Sequence, residues 1–161
     1  MGTVLVIVAP GQGAQTPGFL APWLEDPVFA ARFDWLATVA GIDLAHYGTE
    51  ADAETIRDTA VAQPLLVASG LLASLELFLH PEDAVTQVGV VAGHSVGEIT
   101  AAAGARVITP EHAMVLVRER GRLMKQAGKL NPGGMAAILK LEDDEVAEIC
   151  QKVVAEGHGR P

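Results

Sequence analysis

A short motif around a serine, Gly93-His94-Ser95-Val96-Gly97, is the part of the sequence best suited to chemistry. It matches G-x-S-x-G and lies between an apolar segment and the start of a predicted helix, the strand-turn-helix context in which such a serine acts as a nucleophile. The glycines would let strand and helix approach closely while the hydroxyl stands at the bend. The N–H of Val96 could then stabilise a developing oxyanion. The sequence predicts nucleophilic catalysis at Ser95, against the alternative of a tight turn with an N-capping serine.

A glycine-rich loop, Gly11-Gln12-Gly13, follows the first predicted strand. It does not fit a dinucleotide fingerprint, because Thr16 stands where the third glycine is needed, and no Gly-Lys-Ser/Thr follows to make a phosphate loop. Hydrolase-like folds take their second oxyanion donor from another strand-end loop. The backbone N–H of Gln12 is therefore a candidate for that donor.

An arginine inside an apolar helix stripe is the third candidate. The predicted helix that begins at Pro110 carries apolar residues at helical spacing, and Arg120 falls within them. A buried guanidinium needs an anion, because an unpaired buried charge is costly. Its partner could be a structural Asp or Glu, or a substrate carboxylate, which arginine can bind through two N–H groups. The stripe consists of Ala113, Leu116, Val117, Met124 and Ala127.

Strands and helices alternate along the chain, which predicts an α/β fold with a mostly parallel sheet. The first two strands are continuous β-branched apolar runs, typical of strands buried on both faces. Because ligands bind at the carboxyl ends of parallel strands, the loops that carry Gln12 and Ser95 should meet at one edge. We predict strands over residues 4–9, 88–92 and 135–141, and helices over 27–40, 62–79, from Ser95 onward, 110–128 and 143–154.

Composition limits the class of protein. The 161 residues are about one domain, and the net charge of -9 argues against nucleic acid as a partner. The longest apolar run, residues 64–75, is shorter than the ~20 residues of a membrane span, and no signal peptide is recognisable. The single cysteine, Cys150, cannot form an internal disulfide, which fits a reducing compartment. We expect a cytoplasmic protein without a membrane or nucleic-acid partner.

A basic segment contrasts with the acidic remainder. Residues 105–129 contain six Lys and Arg against two Glu. The segment is either a solvated helix face or a docking patch for a phosphate or an acidic partner.

Four motifs together resemble the N-terminal half of malonyl-CoA:acyl carrier protein transacylases, the acyltransferase family of fatty acid and polyketide synthesis. The resemblance covers essentially all 161 residues. The motifs are Pro10-Gly11-Gln12-Gly13-Ala14-Gln15, Ala62-Gln63-Pro64, Gly93-His94-Ser95-Val96-Gly97-Glu98 and Arg120-Gly121.

The resemblance implies a role for each matching residue. Ser95 would accept the malonyl group, Gln12 and Val96 would give the oxyanion-hole N–H groups, and Arg120 would bind the free malonyl carboxylate. Met124 would line the acyl pocket and Gln63 the cleft. The expected substrate-binding residues are thus Arg120, Met124, Gln63 and His94, although the ring of His94 should point away from the serine hydroxyl.

The expected substrates are malonyl-CoA and acyl carrier protein, whose phosphopantetheine thiol takes the acyl group. No cofactor and no metal are expected, and the complete protein should be a monomer.

The same resemblance implies a division of the fold. Residues 1–130 would be part of a hydrolase-like large subdomain, a mostly parallel sheet with flanking helices. Residues 131–161 would begin a ferredoxin-like small subdomain that is apparently truncated. The family activates its serine with a histidine that follows the small subdomain, and none of the five histidines here matches it. We therefore expect the chain to be a fragment, or one piece of a larger protein.

Two alternatives to a malonyl transferase stay open. A serine hydrolase or thioesterase on a similar fold would pass the same ester to water, and a non-catalytic fragment would do no chemistry. Arg120 discriminates between transferase and hydrolase, because an esterase of neutral acyl chains has no use for a buried cation in its acyl pocket.

Overall fold

The computed structural model describes residues 4–78, 80, 82–130 and 138–158, without the side chain of Val85. The chain divides into two compact units, Met1–Leu130 and Asn131–Pro161. In the described part, the first unit contains strands β1 (Leu5–Ala9) and β2 (Val88–Gly93) and helices α1 (Pro27–Ala40), α2 (Leu44–Thr49), α3 (Thr59–Leu75), α4 (Asp83–Gln87), α5 (Gly97–Gly104) and α6 (Pro110–Leu130). Two 3-10 turns, Trp23–Glu25 and Thr55–Arg57, complete it.

β1 and β2 are adjacent and parallel, which confirms the predicted α/β class. Their register pairs Ala9 with Gly93, so both strands end at the same edge. The loop that carries Gln12 and the turn that carries Ser95 begin there. The sheet therefore brings the two predicted oxyanion donors to one place.

The prediction that both strands are buried on both faces is wrong for this structure. Val8 is 69% exposed and Val90 is 48% exposed. Helix α5 packs against the pair, but in the described residues the sheet has only two strands. A continuous apolar run requires cover on both faces, and a two-stranded sheet with one packed helix does not supply it.

The core of the first unit lies between helices rather than against the sheet. Helix α3 contacts α1, α5 and α6, and the side chains of Leu65 and Val67 are fully buried. The predicted central position of this helix is right, but its bounds are shifted from 62–79 to Thr59–Leu75. The helix starts earlier because the Asp58 carboxylate accepts the N–H of Ala60 and caps it.

Helix ends that carry cap signals lie close to their predicted positions. Asp26 accepts hydrogen bonds from the N–H groups of Val28 and Phe29, at 2.7 and 2.9 Å, and so starts α1. Gly41 ends that helix in the left-handed region, with φ of 65°. Helix α6 begins at Pro110 as predicted and continues to Leu130, two residues past the predicted end.

The second unit contains helix α7 (Asp143–Ala155), which confirms the predicted helix over 143–154. Glu142 and Glu145 form a capping box at its start. Of the predicted strand over 135–141, residues 138–141 are not in a strand, and Lys140 has φ of 67°. Residues 135–137 lie outside the described residues. The assignment of the two units to hydrolase-like and ferredoxin-like subdomains stays a prediction.

Among the helices that the structure describes, none combines the length and the apolar character needed to cross a bilayer.

Candidate active site

Ser95 lies at a strained bend between β2 and α5. Its φ of 54° is a value that a non-glycine residue rarely adopts. A Cβ added to Gly93 would lie 2.1 Å from the carbonyl carbon of Gly97, and one added to Gly97 would lie 2.3 Å from the carbonyl oxygen of Ala9. Both glycines are therefore needed for the strand and the helix to meet.

The alternative interpretation of Ser95 as a helix cap is wrong. Val96 is the N-cap residue of α5, and no side chain caps that end. The serine is exposed, and its Oγ accepts a hydrogen bond from Arg120 instead. The hydroxyl is thus available at the surface of a cleft.

The loop after β1 lies against this bend. The N–H of His94 donates to the carbonyl of Ala9 at 3.1 Å. A Cβ on Gly11 would come within 2.4 Å of Nδ1 of His94. Within the described residues, the backbone N–H groups of Gln12 and Val96 donate no hydrogen bond. Gln12 is exposed, whereas Val96 is 0% exposed, and the oxyanion role of both N–H groups stays a prediction.

Three hydrogen bonds hold that loop in shape. The N–H of Gly13, which has φ of 111°, donates to Oε1 of Gln15 at 2.8 Å. Nε2 of Gln15 donates to the carbonyl of Ile56, and Nε2 of Gln12 donates to the carbonyl of Arg57, both at 2.9 Å. The loop is thus tied to the 3-10 turn that precedes α3.

Arg120 extends from α6 toward Ser95. Its Nη1 donates to Oε1 of Gln63 at 2.6 Å, and its Nη2 donates to Oγ of Ser95 at 3.1 Å. Within the described residues, no carboxylate oxygen lies within 4.0 Å of its guanidinium. The structure thus does not provide the structural Asp or Glu partner that the sequence left open.

Gln63 joins the arginine to the predicted pocket residue. Its side chain is 1% exposed, and its Nε2 donates to Sδ of Met124 at 3.2 Å. A Cβ on Gly121 would lie 2.7 Å from the carbonyl oxygen of Thr59, so this glycine allows α6 to approach the start of α3. The close approach brings Gln63 within reach of Arg120.

The predicted apolar stripe of α6 is only partly buried. Ala113 and Val117 are fully buried, whereas Leu116 is 50% exposed and Ala127 is also exposed. Leu116 is exposed because it lines, together with Arg120, a cleft of about 510 Å³. This cleft is lined by Ser95, Glu98, Ile99, Leu116, Glu119, Arg120, Leu123 and Met124.

Three other cations of α6, unlike Arg120, form ion pairs with carboxylates of the described residues: Arg118, Arg122 and Lys125. Glu119 pairs with Arg122 and Arg118, and these hydrogen bonds, that of Arg122 first, lower the pKa of the Glu119 carboxyl. For Asp58, burial raises the pKa, but the ion pair with Lys125 and the Ala60 N–H outweigh it, so the net pKa is lowered. Both carboxylates stay charged near neutral pH.

The structure brings together most of the predicted site residues. Ser95, Arg120 and Met124 line one cleft, and Gln63 lies directly behind the last two. His94 is exposed beside the loop after β1, and within the described residues no histidine donates to or accepts from Oγ of Ser95.

Sequence reasoning assigned no role to Gln15, Glu98 or the Asp58–Lys125 pair. Gln15 belongs to the motif Pro10–Gln15, which is the signal in the sequence that could have identified it, whereas its burial is visible only in the structure. The Asp58–Lys125 pair joins residues far apart in the sequence, so no local signal could have identified it.

In the part of the chain that the structure describes, no three His, Cys, Asp or Glu side chains are close enough to hold a metal ion.

Comparisons with known proteins identify the family to which the chain belongs. Residues 6–160 match the family model described as acyl transferase domain. The malonyl CoA-acyl carrier protein transacylase of Mycobacterium tuberculosis (strain H37Rv) is 47% identical over 143 residues, which are 89% of this chain and 47% of that protein.

Solved structures give the same result. The crystal structure of MCAT from Mycobacterium tuberculosis superposes with a TM-score of 0.85 at 43% identity, over 94% of this chain and 50% of that one. A malonyl-transacylase in complex with its type II PKS acyl-carrier protein, PlMCAT:AntF, has a TM-score of 0.79 at 30% identity, over 96% of this chain and 49% of that one. The chain spans about half the length of the relatives it matches. On this evidence the chain belongs to the acyl transferase domain family.

Proposed function

We propose that the protein transfers a malonyl group from malonyl-CoA to the phosphopantetheine thiol of an acyl carrier protein, through an ester on Ser95. The observation that carries this proposal is the hydrogen bond of 3.1 Å between the Arg120 guanidinium and Oγ of Ser95. A cation next to the nucleophile suits an acyl group with a free carboxylate. The names of the relatives, which are malonyl transacylases, support the same substrate.

In the first step, Oγ of Ser95 attacks the thioester carbonyl of malonyl-CoA. A C–O bond forms, and the negative charge that develops on the carbonyl oxygen is stabilised by the N–H groups of Gln12 and Val96. The C–S bond then breaks, and the CoA thiolate takes up the proton that the serine has lost. That proton passes through a general base, for which the family resemblance implies a histidine that none of the five histidines of this chain matches.

In the second step, the thiol of the carrier protein attacks the ester carbonyl of acylated Ser95. The new C–S bond forms, the C–O bond breaks, and the serine regains its proton. The exchange of thioester for ester and back changes no oxidation state, and we propose that it needs no cofactor. The free thiol of Cys150 fits a cytoplasmic reaction.

Arg120 would hold the malonyl carboxylate throughout both steps. Gln63 fixes one side of the guanidinium, and Met124, which Gln63 also contacts, lines the acyl pocket. The remaining guanidinium N–H groups can bind a carboxylate in two-point fashion. A hydrolase of neutral acyl groups would not benefit from this arrangement, which favours a transferase of a dicarboxylic acyl group.

The test is to follow the fate of labelled malonyl. The complete protein that contains this chain is incubated with labelled malonyl-CoA and holo acyl carrier protein, with Ser95→Ala as the control. We expect label on the carrier protein, no label with Ser95→Ala, and little free malonate. Release of malonate without transfer would instead indicate the serine hydrolase, and absence of both products would indicate the non-catalytic alternative.

A further inference from the structure

Gln15 is a buried polar residue next to the proposed oxyanion hole, and the mechanism above gives it no task. The residue is 9% exposed, and both the oxygen and the nitrogen of its side-chain amide form hydrogen bonds. The oxygen accepts the N–H of Gly13 at 2.8 Å, and the nitrogen donates to the carbonyl of Ile56 at 2.9 Å. The residue therefore bridges its own loop to a separate segment of the chain.

These two bonds decide which way the loop amides point. The Gly13 N–H is directed at Gln15, in a backbone conformation with φ of 111°. The preceding N–H, that of Gln12, stays without an acceptor in the described residues. Because a peptide unit is planar, the Gly13 bond fixes the plane between Gln12 and Gly13, and the bond from Nε2 of Gln12 to the Arg57 carbonyl holds Gln12 itself. Together these bonds limit rotation about the Gln12 dihedrals, which set the direction of the Gln12 N–H.

The anchor on the other side is the same segment that supports the arginine. Ile56 lies two residues before Asp58, which caps α3 and pairs with Lys125 of α6. Gln63 lies one turn into α3 and holds Arg120. The segment from Ile56 to Gln63 thus touches both the loop of the oxyanion donor and the carboxylate-binding side chain.

We propose that Gln15 is a positioning residue for the oxyanion hole, which acts by holding the Gln12 N–H in the orientation that meets the substrate oxygen. The proposal rests on the proposed function, since it needs an acyl transfer at Ser95. The Gln15 side chain makes no hydrogen bond in the described residues to Ser95 or to Arg120, the carboxylate clamp of the proposed function. Its loss should therefore slow the chemistry of every acyl group equally, without weakening substrate binding.

The first test is Gln15→Leu in the complete protein that contains this chain, assayed with malonyl-CoA and acetyl-CoA. We expect kcat to fall by about 10- to 100-fold, because a misplaced oxyanion donor reduces the rate by up to that factor. The factor should be the same for malonyl-CoA and acetyl-CoA. KM for malonyl-CoA should stay within about 2-fold, because binding in the ground state does not use this N–H.

A matched control separates positioning from stability. Thr49→Val removes another partly buried bond from a side chain to a backbone carbonyl, that of Thr49 to Ala45 at 2.8 Å, in α2. It should lower Tm without changing kcat. If Thr49→Val lowers Tm as much as Gln15→Leu does, it should still keep the wild-type kcat. An equal loss of kcat in both variants would overturn the proposal.

A second variant, Gln15→Glu, gives a readout that remains useful if Gln15→Leu folds poorly. An ionised carboxylate can still accept the Gly13 N–H but cannot donate to Ile56, whereas a protonated one can do both. The ratio of variant to wild-type kcat should therefore rise as the pH falls from about 8 to about 5.5, because burial raises the pKa of the introduced carboxyl. A ratio that is constant with pH would contradict the proposal.

The outcomes also separate this inference from the proposed function. Suppose that the wild type transfers malonyl, that Ser95→Ala abolishes the transfer, and that Gln15→Leu keeps the wild-type kcat. This result would overturn only the role of Gln15. A drop in malonyl transfer alone, with acetyl transfer intact, would also overturn it, because it would place Gln15 with the carboxylate clamp. A wild type that forms no acyl-enzyme would overturn both.

Discussion

The guanidinium of Arg120 lies 3.1 Å from Oγ of Ser95, although 25 positions of sequence separate the two residues. The contact joins the turn before α5 to the middle of α6. In a malonyl ester on Ser95, the free carboxylate would be two bonds from the ester carbonyl carbon. A cation this close to the serine oxygen is therefore within reach of that carboxylate.

Arg120→Ala should change which acyl group is transferred. A charge-assisted pair that is shielded from water is worth ~2–5 kcal/mol, so malonyl transfer should fall by orders of magnitude. Acetyl transfer does not use the pair and should fall little or rise. The two donors are compared on one folded variant by the rate of acyl-enzyme formation.

Arg122→Ala is the matched control. It removes a cation of the same helix, but this cation pairs with Glu119. It should leave the ratio of malonyl to acetyl rates unchanged. If Arg120→Ala lowers both rates together with Tm, its role is structural and the carboxylate clamp is excluded.

Gln63→Leu should weaken the same selectivity to a smaller degree. It removes the hydrogen bond of 2.6 Å to Arg120 while a buried side chain of similar size fills the space. The guanidinium would then lose one fixed contact, and the malonyl rate should fall about 10-fold relative to acetyl, as expected for a modest misplacement of a binding group. Steady-state kinetics with both donors check this, and an equal loss for both would argue against positioning of Arg120.

Two glycines of α6 should respond in opposite ways to alanine. A Cβ on Gly121 would overlap the Thr59 carbonyl, so Gly121→Ala should destabilise the fold by about 1–3 kcal/mol and displace Arg120. A Cβ on Gly128 would meet nothing within 4 Å, so Gly128→Ala should stabilise the helix by about 0.5–1 kcal/mol. Thermal unfolding of the two variants is the measurement, and shifts of the same sign would disprove the proposed contact between α3 and α6.

Asp58 should make stability depend on acid pH. Its pKa is lowered in the folded protein, because the ion pair with Lys125 and the Ala60 N–H outweigh the effect of burial. A lowered carboxyl pKa stabilises the fold above the unfolded value, and this stabilisation is lost as the pH falls below about 4.

Asp58→Asn keeps an N-capping side chain but loses the charge. The wild type should exceed this variant by at most ~1 kcal/mol in unfolding free energy near neutral pH, since the pair is partly exposed. The difference should shrink below about pH 4. Denaturant titrations over this pH range would count against the ion pair if the difference stayed constant.

The sequence predicted those parts of the structure that depend on local signals. Gly93 and Gly97 predict the sharp turn, and Asp26 and Gly41 predict the ends of a helix. These signals are reliable because each residue acts on the backbone within one turn of its own position. The resemblance to a family added the assignment of Arg120 to a substrate carboxylate.

The remaining features depend on contacts between distant segments. The burial of β1 and β2 was wrongly predicted because it depends on what covers the sheet, which the strand itself does not encode. For residues 138–141, the described part of the strand predicted over 135–141, the prediction was wrong, because the apolar run contains Lys140 at a positive φ. The link between Gln15 and Ile56 spans 41 positions, and no periodicity reveals it.

The covalent intermediate is the central claim, and peptide mapping tests it most directly. The complete protein that contains this chain is exposed to malonyl-CoA, its intact mass is measured, and the modified peptide is sequenced by tandem mass spectrometry. The account predicts one malonyl group, on Ser95, and none on Ser95→Ala. Label on another residue, or undiminished labelling of Ser95→Ala, would contradict it.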